Sequence, residues 1–194
     1  AGNDRQRLVM LDLKDDSVKV TLELTGIAAC RWKPDGSAIA VARDMRGNSG
    51  FYNGLWLIDP ETGSSHQIAD DPVLAFFWSP DGSRVAYVTS SEDAEGSLRW
   101  AVLSTSSTEI VYLSDFRPSQ EQLIAFMYFD QYGQSHTPWS PDGSLIMFAG
   151  EPGARTVRTP LPGGESNKLH VVPADGSSDA EEVAPGFIGC WAPE

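Results

Sequence analysis

A chain of 194 residues is long enough to bury one sizeable core or two small ones. Its composition, 41% hydrophobic and 21% charged, is that of a globular domain, and no apolar run is long enough for a transmembrane helix, which excludes membrane insertion by that route. The 27 acidic residues against 14 basic ones leave a net charge of −13, which repels phosphate backbones and excludes nucleic acid as a partner; the acids are scattered, as on a well-solvated surface.

In chain order, residues 1–25 hold "RLVMLDLKDDS", a strand with its turn, and "KVTLELTG", a second strand. The apolar run "IAACRW" then leads into "WKPDGS" at 32–37. "AIAVA", a loop at 43–54, "LWLIDPETGSS" and "HQIAD" follow. The order then repeats. "VLAFFW" leads into "WSPDGS" at 78–83, followed by "RVAYV", a loop at 90–97, "LRWAVLSTSST" and "EIVYLSD". A third round has "WSPDGS" at 139–144, "SLIMFA", a loop at 151–168, "KLHVVPADGSS" and "AEEVAPG". The chain ends on "FIGCW" and the partial motif "CWAPE". It starts on Ala1-Gly2 with no visible leader, as expected of a processed or excised segment.

The six letters have a mechanical reading. Ser79-Pro80-Asp81-Gly82 fits a type I turn: Ser at the first position, Pro presetting φ at the second, Asp at the third and Gly at the fourth. Such a turn reverses the chain between two strands. The runs that follow it are short, apolar and lack clean alternation, as in strands covered on both faces. Trp32, Trp78, Trp139 and Trp191 recur at spacings of 46, 61 and 52 residues. That is somewhat longer than the ~40–45 residues of a four-stranded propeller blade. The pattern predicts two strands, then three sets of four, then one first strand, with little helix. Cys30 and Cys190 are too few for a disulfide scaffold and are expected to be small, buried core residues.

Trp-Ser-Pro-Asp-Gly-Ser after an apolar strand resembles the TolB-type propeller repeat, a relative of the WD-type repeat. The resemblance runs along the whole chain, on Trp32, Pro34, Asp35 and Gly36; on Trp78, Pro80, Asp81 and Gly82; on Trp139, Pro141, Asp142 and Gly143; and in part on Trp191. It implies an all-β β-propeller segment of four-stranded antiparallel blades, about three complete plus half-blades at both ends. Residues 1–25 would be a half blade, 26–71 and 72–116 blades, 117–185 a blade with an insertion, and 186–194 the first strand of another. The repeat tryptophans are expected to be buried where blade packs on blade. TolB-like rings have six or more blades, so this shorter arc is expected to be part of a larger ring, with self-association through exposed blade flanks as the alternative.

Fold does not imply function. TolB-type repeats occur in bacterial envelope proteins that bind other proteins, in the propellers covering prolyl-oligopeptidase-like hydrolases, and in some polysaccharide lyases. The resemblance therefore implies a non-catalytic protein- or peptide-binding scaffold in an extracytoplasmic compartment, periplasmic or secreted. Two alternatives stand beside it: the accessory propeller of a hydrolase, and a lyase using His136. The sequence has no G-x-S-x-G, no H-E-x-x-H, no Cys-x-x-Cys and no phosphate loop, so no catalytic residue, metal ligand or cofactor is assigned. His66 and His170 read as structural or surface residues.

The unusual segment is "FMYFDQYGQSHTPW" at 126–139, which sets the spacing of 61. It places Phe126, Tyr128, Phe129 and Tyr132 beside Asp130, Gln131 and His136. Two readings stay open: a strand extension that packs its rings on the neighbouring blade, or a binding surface. The long loops between second and third strands would share its face and add Phe51, Tyr52, Arg155 and Arg158.

Overall fold

The computed structural model describes residues 5–43, 50–91, 96–107, 109–133, 136–153 and 167–192. Arg155 and Arg158 lie outside the described residues. The chain divides into two compact units, residues 1–73 and 74–194.

The first unit opens with a hairpin, β1 (Arg5–Asp12) and β2 (Ser17–Thr25), paired antiparallel. The turn is held by short carboxylate contacts, Asp12 accepting from the Lys14 amide and Asp15 from the Ser17 amide. A four-stranded antiparallel sheet follows in chain order: β3 (Ala29–Trp32), β4 (Ile39–Ala42), β5 (Leu55–Ile58) and β6 (Ser65–Ala69). Every residue of β4 is buried, as its unbroken apolar sequence requires. Met10, Val20 and Leu24 of the hairpin pack with Ile39, Val41 and Ile58 of the sheet into one core.

The second unit is built on a seven-stranded antiparallel sheet. Its strands are β7 (Ala75–Trp78), β8 (Arg84–Ser90), β9 (Leu98–Ser104), β10 (Ile110–Pro118), β11 (Leu145–Pro152), β12 (Lys168–Pro173) and β13 (Glu181–Pro185), again in chain order. β7 to β10 are the expected set of four. β10 runs on past that set, and its last residues pair with the end of β11, Phe116 opposite Pro152 and Pro118 opposite Gly150.

Several expectations are corrected. "SHTPW" is not a full first strand; it is reduced to a single bridge, Trp139 to Ile146, beside a bond from the Met147 amide to the Pro138 carbonyl. Pro138 has no N–H to give to a ladder, so the strand cannot extend through it. "FIGCW" forms no strand, because no described strand pairs with it. The insertion is not a strand extension: it folds as α1 (Gln120–Met127) and α2 (Phe129–Tyr132). Cys30 and Cys190 are exposed free thiols. Period-two alternation puts Cys30 on the face of β3 opposite the buried Ala29, and Cys190 lies in irregular chain. Of the repeat tryptophans only Trp139 is fully buried, Trp78 and Trp191 are partly buried, and Trp32 is 54% exposed.

Candidate functional site

The repeat turns fix the corners on which the site is built. In the second copy the Gly82 amide donates to the Ser79 carbonyl at 2.9 Å. The Ser79 hydroxyl donates to Asp81 at 2.6 Å and accepts from the Arg84 amide at 3.0 Å. Asp81 also accepts from the Ser83 amide and hydroxyl. The third copy repeats these contacts, with Asp142 serving Ser140 and Ser144. The first Ser is replaced by Lys33 in the first copy, and its ammonium bonds Asp35 at 2.9 Å instead. Gly36, Gly82 and Gly143 sit at φ 74°, 69° and 71°, the left-handed region that favours glycine. The hydroxyl bonds hold the carboxyls of Asp81 and Asp142 down at about 2. These carboxylates serve the turns and are not chemical groups in waiting.

Successive copies are tied to one another. The indole N–H of Trp139 donates to the Phe77 carbonyl at 3.0 Å, and that of Trp191 to the Pro138 carbonyl at 2.9 Å. Arg84 donates to the Gly143 carbonyl at 2.5 Å, with its guanidinium 5.0 Å from the centre of the Trp139 ring.

The insertion is mounted on this frame. Ser119 caps α1, its hydroxyl accepting from the Gln122 amide at 3.0 Å and donating to the Phe187 carbonyl at 2.7 Å. The Ser119 amide donates to the Ala149 carbonyl, and the Gln122 side chain accepts from the Ala149 amide, so the helix start is pinned to β11. Phe126 and Phe129 are the plugs, 1% and 2% exposed. Phe129 meets Phe76 edge-on at 5.0 Å, and Phe126 meets Trp100 at 5.4 Å. Phe116 and Phe148 continue this aromatic core.

The opposite side of the insertion is open. Ile124, Met127 and Tyr128 are 44%, 55% and 50% exposed. The spacings of three and four residues put them on one side of the helical segment. Asp130, Gln131 and His136 are exposed beside them. Between the insertion and the sheet lies a small hollow of about 20 Å³, lined by Gln122, Phe126, His136, Met147 and Ile188 among others. Tyr128, Asp130, Gln131 and His136 thus share one insertion, and the backbone of Tyr132 lies in α2. Phe51 and Tyr52 belong to the first unit. Tyr52, placed by the sequence on the loop face as a binding residue, is instead buried, with its backbone bridging Val73.

A second cleft carries residues that sequence reasoning did not assign to a site. Arg117, Glu151, Lys168, His170 and Glu182 line it. Arg117 pairs with Glu151 and Lys168 with Glu182, each at 2.6 Å, so the charges cancel locally. His170, 5% exposed, stacks on Phe148 at 5.5 Å. Burial pushes its imidazole below the ordinary value. His66 is exposed on β6. Only the β12–β13 register could have signalled the cleft, since it sets His170 opposite Glu182. Among the described residues no group of three His, Cys, Asp or Glu side chains could hold a metal. The arrangement supplies apolar and polar contact surface on rigid supports.

No protein-family model matches the chain, and no curated protein matches it in sequence. Solved structures do. An oligogalacturonate lyase in complex with manganese superposes with a TM-score of 0.61 at 19% identity, over 92% of this chain and 42% of that one. An oligogalacturonate lyase from Vibrio parahaemolyticus gives 0.60 at 18% identity, over 92% and 43%. Acylaminoacyl peptidase from Pyrococcus horikoshii gives 0.56 at 14% identity, over 93% and 28%. The chain therefore spans less than half the length of each. At these identities the likeness bears on fold alone, and the fold is an all-β propeller segment built of antiparallel blades.

Proposed function

We propose that the chain is a non-catalytic, TolB-like propeller scaffold that binds a protein or peptide partner through the helical insertion, in an extracytoplasmic compartment. One observation carries this reading: Ile124, Met127 and Tyr128 stand exposed on a helical segment whose other side is anchored by the buried Phe126 and Phe129. Apolar and aromatic side chains held out on a rigid support are what a protein-binding surface needs, since their burial supplies the affinity at low ordering cost. Asp130 and Gln131 would form the polar rim. Nothing in the first unit is needed for this role.

The test is a selection of displayed peptides on the immobilised 194-residue chain, followed by titration of the selected peptides. Binding should fall at least tenfold in Met127→Ser and Tyr128→Ala while the melting temperature stays within a few degrees. Peptides that bind both variants as well as the parent chain would refute the assignment.

A second reading is favoured by the likeness to acylaminoacyl peptidase: the chain as the accessory propeller of a hydrolase. It would use the same surface to admit or exclude peptides. A reading frame that continues into a G-x-S-x-G segment followed by Asp and His would decide for it. The lyase reading through His136 is the weaker one, because among the described residues no group of three His, Cys, Asp or Glu side chains could hold a metal.

A further inference from the structure

The cleft on β10 to β13 shares no lining residue with the hollow under the insertion, and every residue that lines it lies in the second unit. Its volume is about 330 Å³, at the lower end of the ~300–1,000 Å³ of ligand clefts, which is room for one small molecule. Four adjacent strands supply its polar groups: Arg117 from β10, Glu151 from β11, Lys168 and His170 from β12, and Glu182 from β13. The close approach of β10 to β11 depends on Gly150, where a side chain would collide with the Arg117 carbonyl. That approach sets Arg117 opposite Glu151, and the outer strand pair sets His170 opposite Glu182.

The charges in the cleft are balanced and loosely held. Glu151, the partner of Arg117, has a side chain 56% exposed, and Lys168 and Glu182, which pair with each other, are both 48% exposed. Exposed pairs of this kind add little to stability, so a ligand opens them at small cost. Burial holds the His170 imidazole below its ordinary value, so at neutral pH it adds no charge to the balance. Two polar atoms are left over. The Nδ1 of His170 and the Nε of Arg117 are buried and make no hydrogen bond among the described residues. Glu151 therefore engages Arg117 through one terminal nitrogen and leaves the Nε prong of the guanidinium fork unused. A buried donor without an acceptor is costly, and a ligand that supplies one is rewarded accordingly.

We infer that this cleft binds a small zwitterion, an α-amino acid, with its carboxylate on Arg117 and its ammonium on Glu182. A ligand with one sign of charge has to break an ion pair and leave the displaced partner's charge uncompensated. A ligand with both signs exchanges pair for pair. Its carboxylate takes the place of Glu151 and occupies both prongs of the Arg117 fork, including the idle Nε. Its ammonium takes the place of Lys168 on Glu182. The displaced Glu151 and Lys168, each about half exposed, turn out to water as an acid and a base, so the net charge of the site is unchanged. A sugar fits less well. The one ring at the cleft, that of His170, is 5% exposed and stacked on Phe148, so it offers no open face.

The test follows the nitrogen-15-labelled 194-residue chain by NMR while each common L-amino acid is added at millimolar concentration. The strongest binder is then compared with its N-acetyl form, which keeps only the carboxylate, and with its amide, which keeps only the ammonium. The expected result is saturable shifts at Glu151, Lys168, His170 and Glu182. Each blocked form should bind about tenfold more weakly or worse, the worth of one charge-assisted contact. Arg117→Gln and Glu182→Gln should each weaken the intact amino acid by about the same factor. Their melting temperatures should stay within a few degrees of the parent chain, because the pairs they break are exposed. The inference is overturned if no amino acid shifts these residues, or if a blocked form binds as tightly as the intact one. Glucose shifting the same residues more strongly than any amino acid overturns it as well, since the cleft would then be a sugar site.

Discussion

Asp142 shows how much one side chain can organise. It accepts from the hydroxyls of Ser140 and Ser144 and from the Ser144 amide, and Asp81 does the same one repeat earlier. Those bonds favour the charged form and pull both carboxyls from an ordinary value of 3.8 to about 2. A group whose folded value is depressed stabilises the fold above its unfolded value and loses that contribution as pH falls through the folded one. Melting temperatures should therefore be flat above about pH 5 and drop as pH falls from about 4 to 2. Asp142→Asn should start lower at pH 6 and decline less across that window in a calorimetric series. The repeat tryptophans make a complementary point, since identical letters do not have identical surroundings. Trp139, 1% exposed and bonded to Phe77, should cost about 3–5 kcal/mol when replaced by Ala, as for other large buried side chains. Trp32→Ala should change the stability of the chain by less than about 1 kcal/mol. Urea unfolding of the two variants, compared at low protein concentration, checks the contrast.

Secondary elements were legible where their bonds are local. The motif turns could be read from six letters because every bond that shapes them closes within those letters, and the strands that flank them followed. Blade-like sets of four appear at β3–β6 and β7–β10 for this reason. The first strand of the third set was not legible as a single bridge, because the other two sets share one pattern and the third carries the same six letters. The insertion was misread as a strand extension for a different reason. Its helical start is signalled by Ser119-Gln120-Glu121-Gln122, which fits a capping box and lies upstream of the aromatic run that begins at Phe126. Which of its aromatics turn inward depends on Phe76, Trp100 and Phe116, partners distant in sequence. So Phe126 and Phe129 proved to be core, while Tyr128, Asp130 and His136 stayed outside. The cap itself is open to test. Ser119→Ala should destabilise by about 1–2 kcal/mol, since it removes the cap bond and the tie to Phe187 together. Ser119→Asp should restore the cap but lose the donor to Phe187, leaving an intermediate stability by chemical denaturation.

Across the whole molecule the charge is the dominant long-range term. With 27 acidic and 14 basic residues, self-repulsion opposes compaction and salt relieves it. The melting temperature at pH 7 should rise by several degrees when sodium chloride is raised from about 10 to 150 mM, a range over which the Debye length falls from ~30 to ~8 Å. An unchanged value would mean that the acids are spaced widely enough not to feel one another. The mounting of the insertion reaches furthest. α1 and α2 hang between β10 and a turn that closes its own bonds, tied to the frame by Ser119 and Gln122 and by two aromatic plugs. That is a socket. A foreign segment that keeps Ser119, Gln122 and two apolar plugs, and begins and ends where this one does, should be carried without disturbing the sheet. If the insertion is the binding element proposed above, the lineage of such a scaffold changes its partner by exchanging one cartridge, leaving the repeats to be inherited intact.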